Sequence, residues 1–240
     1  MCGVKLSHKL AKAFQPLTYR RAWRSIQRKV HPIAIGPLLA EVDRAKLAAL
    51  RQKHIAGARD YPAYLQHYTK YLDVDTHLRL NARRLQDLQL HRQPARDVLD
   101  IGCGGGFFLF IAKQFGHRGL GIDVDEIPLF TDLVELLQVE RRVHAVRAFQ
   151  ALPEFGRRFD WITSYSTAFH GVEGEPWRWG VAEWKFFLED LQRHLKPGGR
   201  IFLGLNPSYG GGDYYTPEIL ALFLSRGAKV ERENVLFHTQ

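Results

Sequence analysis

The chain has 240 residues, 45% of them hydrophobic, and a net charge of +9, enough apolar material for one large domain with an accessory segment and a core that folds alone. No apolar run approaches the roughly 18 residues that a membrane span requires, and the start lacks a compact apolar stretch with a small-residue cleavage site. Together with only two cysteines, Cys2 and Cys103, this argues against a spanning or secreted protein and for a cytoplasmic one in a reducing compartment.

The charge is uneven. Residues 1–95 hold 18 Lys/Arg against 6 Asp/Glu, a net +12, which leaves −3 for residues 96–240. No acid precedes Glu41, and Leu6, Leu10, Phe14 and Leu17 recur at helical spacing while Lys5, Lys9 and Lys12 fall elsewhere around the helix, which predicts a basic amphipathic helix. Such a helix suits packing on the main domain, docking to a membrane surface, an arm for nucleic acid, or an organellar presequence. Tyr61, Tyr64, Tyr68 and Tyr71 follow at steps of three and four, on one helical face, either to pack or to present their polar tips to a pocket. A further helix is predicted from His77, with Leu78, Leu85 and Leu88 inward, ending before Pro94. The boundary between a basic helical segment, 1–95, and a second unit, 96–240, is placed there.

From Arg96 onward short apolar runs alternate with helical stretches. Residues 97–101, 119–124, 143–148, 159–166 and 200–206 read as strands, and 106–116, 126–139 and 181–195 as helices; 228–238 supplies one more strand. The alternation predicts an α/β, Rossmann-like, doubly wound and mostly parallel sheet with an N-terminal helical extension. Thr216 and Pro217 give the last helix a cap and an N1 proline. In this architecture ligands bind beyond the carboxyl ends of the strands.

The stretch VLDIGCGGGFF, residues 98–108, lies at such an end. A glycine-rich turn from strand into helix lets a ligand approach the backbone and the amides at the helix N-terminus. The spacing is not that of a dinucleotide fingerprint, because Phe107 stands where its last glycine would fall. What stands there is Asp100, Gly102, Gly104 and Gly106. An acid two residues before the first glycine repels a pyrophosphate and suits a cation. Asp123, 23 residues after Asp100, has the position and chemistry to bind both hydroxyls of a ribose.

With VLDIGCGGG, GIDVD (121–125) and LKPGGRIFL (195–203) in this order and spacing, residues 97–237 resemble a class I S-adenosylmethionine-dependent methyltransferase. The resemblance implies that Gly102, Cys103, Gly104 and Gly106 line the cofactor's amino-acid portion, that Asp100 orients its ammonium group, that Asp123 holds the ribose and that Val124 packs on the adenine. At the position of the acid that often accepts the adenine amino group stands Ala148, which leaves that task to the Phe149 backbone, Gln150 or apolar packing. A non-catalytic member of the fold, acting as a scaffold docked to a membrane or protein, stays open on that ground.

Transfer of a methyl group requires alignment of a nucleophile, exclusion of water and, for a hydroxyl acceptor, removal of a proton. His170 is the candidate base, and Tyr165 the nearer wall of the site. Trp177 and Trp179 lie in a Gly/Pro-broken loop suited to a lid, whereas Trp184 reads as core. Asn206 stands where its amide can meet an acceptor. No metal is expected. Accessory helices commonly cap the acceptor pocket in this family, so the first expectation is an O or N acceptor on a small molecule or glycan; the +12 segment keeps RNA methylation open as the alternative.

Overall fold

The computed structural model describes residues 25–26, 28–56, 62–172, 174, 176–209 and 211–238, with the side chains of 63 and 64 left aside. The predicted amphipathic helix over Leu6 to Leu17 and the position of Tyr61 lie outside the described residues. Before Pro94 the chain forms helices α1 (Ile35–Ala40), α2 (Arg44–Ala56), α3 (Ala63–Gln66), a 3-10 segment (His67–Leu72) and α4 (Val74–Asp87). Then follow β1 (Asp97–Ile101), α5 (Phe107–Gln114), β2 (Arg118–Asp123), α6 (Pro128–Leu136), β3 (Arg141–Val143), β4 (Phe159–Thr167), α7 (Val181–Arg193), β5 (Leu195–Leu205), α8 (Pro217–Ser225), β6 (Lys229–Glu231) and β7 (Asn234–His238). No helix among the described residues is long and apolar enough to cross a membrane.

The seven strands lie in the order β3-β2-β1-β4-β5-β7-β6. The first five run parallel, and β7 is antiparallel to both β5 and β6. All five residues of β1 are buried, as a strand covered on both faces requires. On one face Val98 and Trp161 share an apolar cluster with Leu78 and Leu85 of α4, Phe107 and Ile111 of α5 and Leu133 of α6. On the other, Leu99, Ile101, Ile162 and Leu203 meet Trp184, Leu188 and Leu191 of α7 and Phe223 of α8. The helices before Pro94 therefore pack directly on the sheet's own core.

Local chemistry explains the cap helix α4. The Asp73 side chain accepts the Thr76 amide at its N-terminus, and Leu78, Leu85 and Leu88 are buried, so helix and inward face are as expected. It ends earlier than the pattern predicts: Gln89 takes φ 57°, and the rest is a 3-10 turn, Leu90–Arg92. Helix α8 has the cap that Thr216 and Pro217 predict, with the Thr216 hydroxyl accepting the Ile219 amide.

Three strand expectations need correction. The strand expected over 200–206 already begins at Leu195, pairing with Phe159 before an irregularity that precedes the Trp161–Arg200 pair. The predicted strand 143–148 is only β3, Arg141–Val143, because this strand lies at the sheet edge and pairs with β2 alone; residues 144–150 leave the sheet. The single C-terminal strand is a hairpin, since Arg232, at φ 54°, turns the chain between β6 and β7.

Candidate cofactor and acceptor cavity

A cavity of about 850 Å³ opens beyond the carboxyl ends of β1, β2 and β4, with helices from the N-terminal segment as its opposite wall. Its floor is the turn between β1 and α5. Gly102 has φ +72°, and a Cβ there would drive into Thr167 Cγ2 at the end of β4. The bare backbone at Gly102 thus serves close packing of loop on strand as well as ligand approach. Gly104, at φ +54°, has only Phe130 nearby and lines the cavity. Cys103 also lines it, with its sulfur pressed against Gly121 and its thiol pushed well up by burial.

Two carboxylates face this floor. Asp123 ends β2, where its Oδ2 accepts the Gly104 N–H at 2.5 Å and its Oδ1 the Val124 N–H at 2.8 Å. Each oxygen keeps one lone pair for a further donor, the arrangement a pair of ribose hydroxyls would take up. Burial raises its pKa. Asp100 is deeper, 3% exposed, and accepts one hydrogen bond, from Thr163 Oγ1 at 2.6 Å. Among the described residues no ion pair neutralises it, and burial pushes its carboxyl up to about 7. A buried anion of this kind favours a cation, so the pocket fits an ammonium group; with Asp123 lining the same cavity from the neighbouring strand, the donor set suits S-adenosylmethionine.

Tyr165 lines the cavity, its hydroxyl buried without a partner among the described residues, and its ring lies beneath the Arg84 guanidinium at 4.5 Å. Arg84, on α4, donates to Asn81 Oδ1 at 3.1 Å and Ser166 Oγ at 3.2 Å. No carboxylate among the described residues pairs with it, so burial lowers its pKa. A half-buried cation at the amino-acid end of the site suits the cofactor's carboxylate. Sequence reasoning missed Arg84. Its signal was the polar row His77, Asn81 and Arg84, at steps of four and three beside the apolar stripe of α4. His77 lines the same wall, its ring 4.3 Å from Tyr71 and 5.2 Å from Phe107. Burial lowers the His77 pKa. Tyr68 and Tyr71 of the tyrosine row pack on Phe130 and line the cavity.

Asp100, Gly102, Cys103, Gly104, Asp123, Val124, Tyr165, Trp177 and Asn206 are brought together around the cavity. Five other expected residues are not among its walls. Gly106 turns the chain into α5 and packs against Val139. Phe149 is 56% exposed at φ 57°, with its ring on Phe186, and Gln150 is exposed beside it; the chain leaves the sheet after β3 and carries them away. Trp179 is buried against Trp184 and Phe187, whereas Trp177, two residues earlier, is half exposed at the cavity mouth. His170 is fully buried. Its Nε2 lies 3.2 Å from Ser208 Oγ, and burial pulls its pKa down to about 4. Its neighbour Phe169 faces the cavity instead, so the structure corrects the expectation that His170 serves as base.

The sheet order and this strand-end cavity define a Rossmann-like fold of the methyltransferase type. Residues 98–199 match the family model described as a methyltransferase domain, a match that supports S-adenosylmethionine as the cofactor. The chain is 36% identical over 109 residues to the cypemycin N-terminal methyltransferase of Streptomyces sp, covering 45% of this chain and 41% of that one. It is 32% identical over 112 residues to a ubiquinone biosynthesis O-methyltransferase of Pseudomonas aeruginosa, covering 45% and 43%. The chain thus matches about two-fifths of the length of these curated relatives. The crystal structure of Streptomyces venezuelae DesVI matches with a TM-score of 0.50 at 18% identity, over 72% of this chain and 96% of that one, which shows the shared fold.

Proposed function

We propose that this protein transfers a methyl group from S-adenosylmethionine to an oxygen or nitrogen of a small-molecule or glycan-type acceptor, with residues 1–95 contributing the acceptor cap. The observation that carries the reading is the composition of the cavity. One space of about 850 Å³ is walled on one side by Asp100, Gly104 and Asp123 and on the other by His67, Tyr68, Lys70, Tyr71 and His77. This lies high in the roughly 300–1,000 Å³ range of ligand pockets and leaves room for an acceptor beside a cofactor. The relatives named for N-terminal and for O-methylation support either acceptor atom.

When bound, S-adenosylmethionine supplies an electrophilic methyl group. The chain's own residues hold and align. Asp100 takes the ammonium, Arg84 the carboxylate and Asp123 the ribose. The helical wall closes over the acceptor and excludes water, with Trp177 at the mouth and Asn206 offering its amide. For a hydroxyl acceptor His77 is the proton acceptor: burial lowers its pKa and so favours the neutral imidazole, which has one nitrogen free to take a proton.

The test is transfer of label from methyl-tritiated S-adenosylmethionine to a small-molecule extract and, separately, to total RNA. Label in the small-molecule pool, lost with His77→Ala or Arg84→Ala, supports the reading. Label confined to RNA contradicts it.

A further inference from the structure

We infer that His144 reads the amino edge of adenine in place of the acid that is missing at Ala148. The inference rests on the cofactor reading above. Strand order sets the direction in which the cofactor runs. Asp100 on β1 and Asp123 on β2 take its amino-acid and ribose portions, so its base continues toward β3. His144 is the first residue beyond β3. Val143 pairs with Asp123, and the His144 amide donates to the Asp123 carbonyl at 2.8 Å, which sets His144 directly beside the ribose-binding acid.

Past Asp123 the cavity wall is Val124, Glu126, Ile127, His144, Ala145 and Val146. Only Glu126 and His144 in that row carry a polar side chain. Glu126 is exposed, so water satisfies it. The Nε2 of His144 is buried with no hydrogen-bond partner among the described residues, and a buried polar atom left unpaired is costly. The terminal imidazole torsion is broad, so a turn of the ring brings that nitrogen to the cavity surface. A neutral imidazole offers one acceptor, which matches the amino group of adenine, while Val124, Ile127 and Val146 cover the faces of the base.

The test is calorimetric titration of the full chain with S-adenosylhomocysteine and with its analogue lacking the adenine amino group. Wild type is expected to prefer the natural ligand by about tenfold, the worth of one hydrogen bond to an otherwise unpaired buried group. His144→Phe, which keeps the ring volume, is expected to reduce that ratio to below about threefold, and His144→Gln, which restores an acceptor, to recover it. A general loss of fit would weaken both ligands alike and leave the ratio unchanged. Equal affinity of wild type for both ligands, a ratio untouched by His144→Phe, or a ratio lost only in Glu126→Ala overturns the inference while the cofactor reading stands. No binding of S-adenosylhomocysteine at all overturns the cofactor reading and the inference with it.

Discussion

Asp100 and Asp123 face one cavity with the same charge but are held by different neighbours, and each makes its own prediction. Asp123 is braced by two backbone amides, and under the proposed function Asp123→Ala removes the acceptors for two ribose hydroxyls. At about 1.5–3 kcal/mol for each charge-assisted hydrogen bond, titration calorimetry is expected to show S-adenosylhomocysteine binding weakened at least tenfold. Asp100 is raised from its ordinary 3.8 to about 7 by burial. A carboxyl raised in this way favours the unliganded fold at low pH, and that contribution is lost as pH rises through about 7. An ammonium ligand demands the charged form, so affinity for S-adenosylhomocysteine is expected to fall as pH drops from 8 to 6, with a slope that Asp100→Asn removes. Both acids are legible in the sequence because their spacing from the glycines fixes their strand-end positions. His170 is not, because one residue decides which side chain of the pair at 169 and 170 enters the cavity, and the tertiary path gives that place to Phe169. His170→Ala is therefore expected to lower stability by about 1–3 kcal/mol, as expected for opening a hole in a packed core, and to leave ligand affinity unchanged. A normal melting temperature with lost turnover would return His170 to the mechanism.

At the scale of elements, the turn between β1 and α5 is fixed by what presses on it. Gly102→Ala adds a Cβ at positive φ directly against Thr167 Cγ2, a combination of backbone strain and overpacking worth about 2–3 kcal/mol. Chemical denaturation is expected to show that loss and to show part of it recovered when Thr167→Ser removes the offending methyl. An unchanged midpoint would mean that the loop is not packed on β4 as described. Strands β1, β2 and β4 are legible to within one or two residues, since buried parallel strands read as apolar runs between glycines. The edge of the sheet is not. A strand with one neighbour is held by fewer ladder bonds, so β3 stops after Val143 although the apolar alternation continues to Val146, and Arg232 makes a hairpin of a stretch whose pattern reads as one strand. The same early end of β3 removes Phe149 and Gln150 from the site.

For the whole molecule, composition announces a basic N-terminal half, and charge alone does not reveal what its helices do. The change of pattern near Pro94 is legible, but the apolar cluster is continuous across it: Leu78 and Leu85 pack with Val98, Phe107 and Trp161. Helical periodicity reveals that α4 buries leucines, not that its flanking row of His77, Asn81 and Arg84 completes a ligand cavity, because that depends on the crossing of α4 over α5. The central claim is that this cavity, built half from the sheet and half from the preceding helices, holds S-adenosylmethionine. The most direct measurement is calorimetric titration of the full chain with S-adenosylhomocysteine beside NAD. The account predicts saturable binding of the first, one per chain and in the micromolar range, and none of the second. Silence from S-adenosylhomocysteine, or binding of NAD in its place, would contradict it.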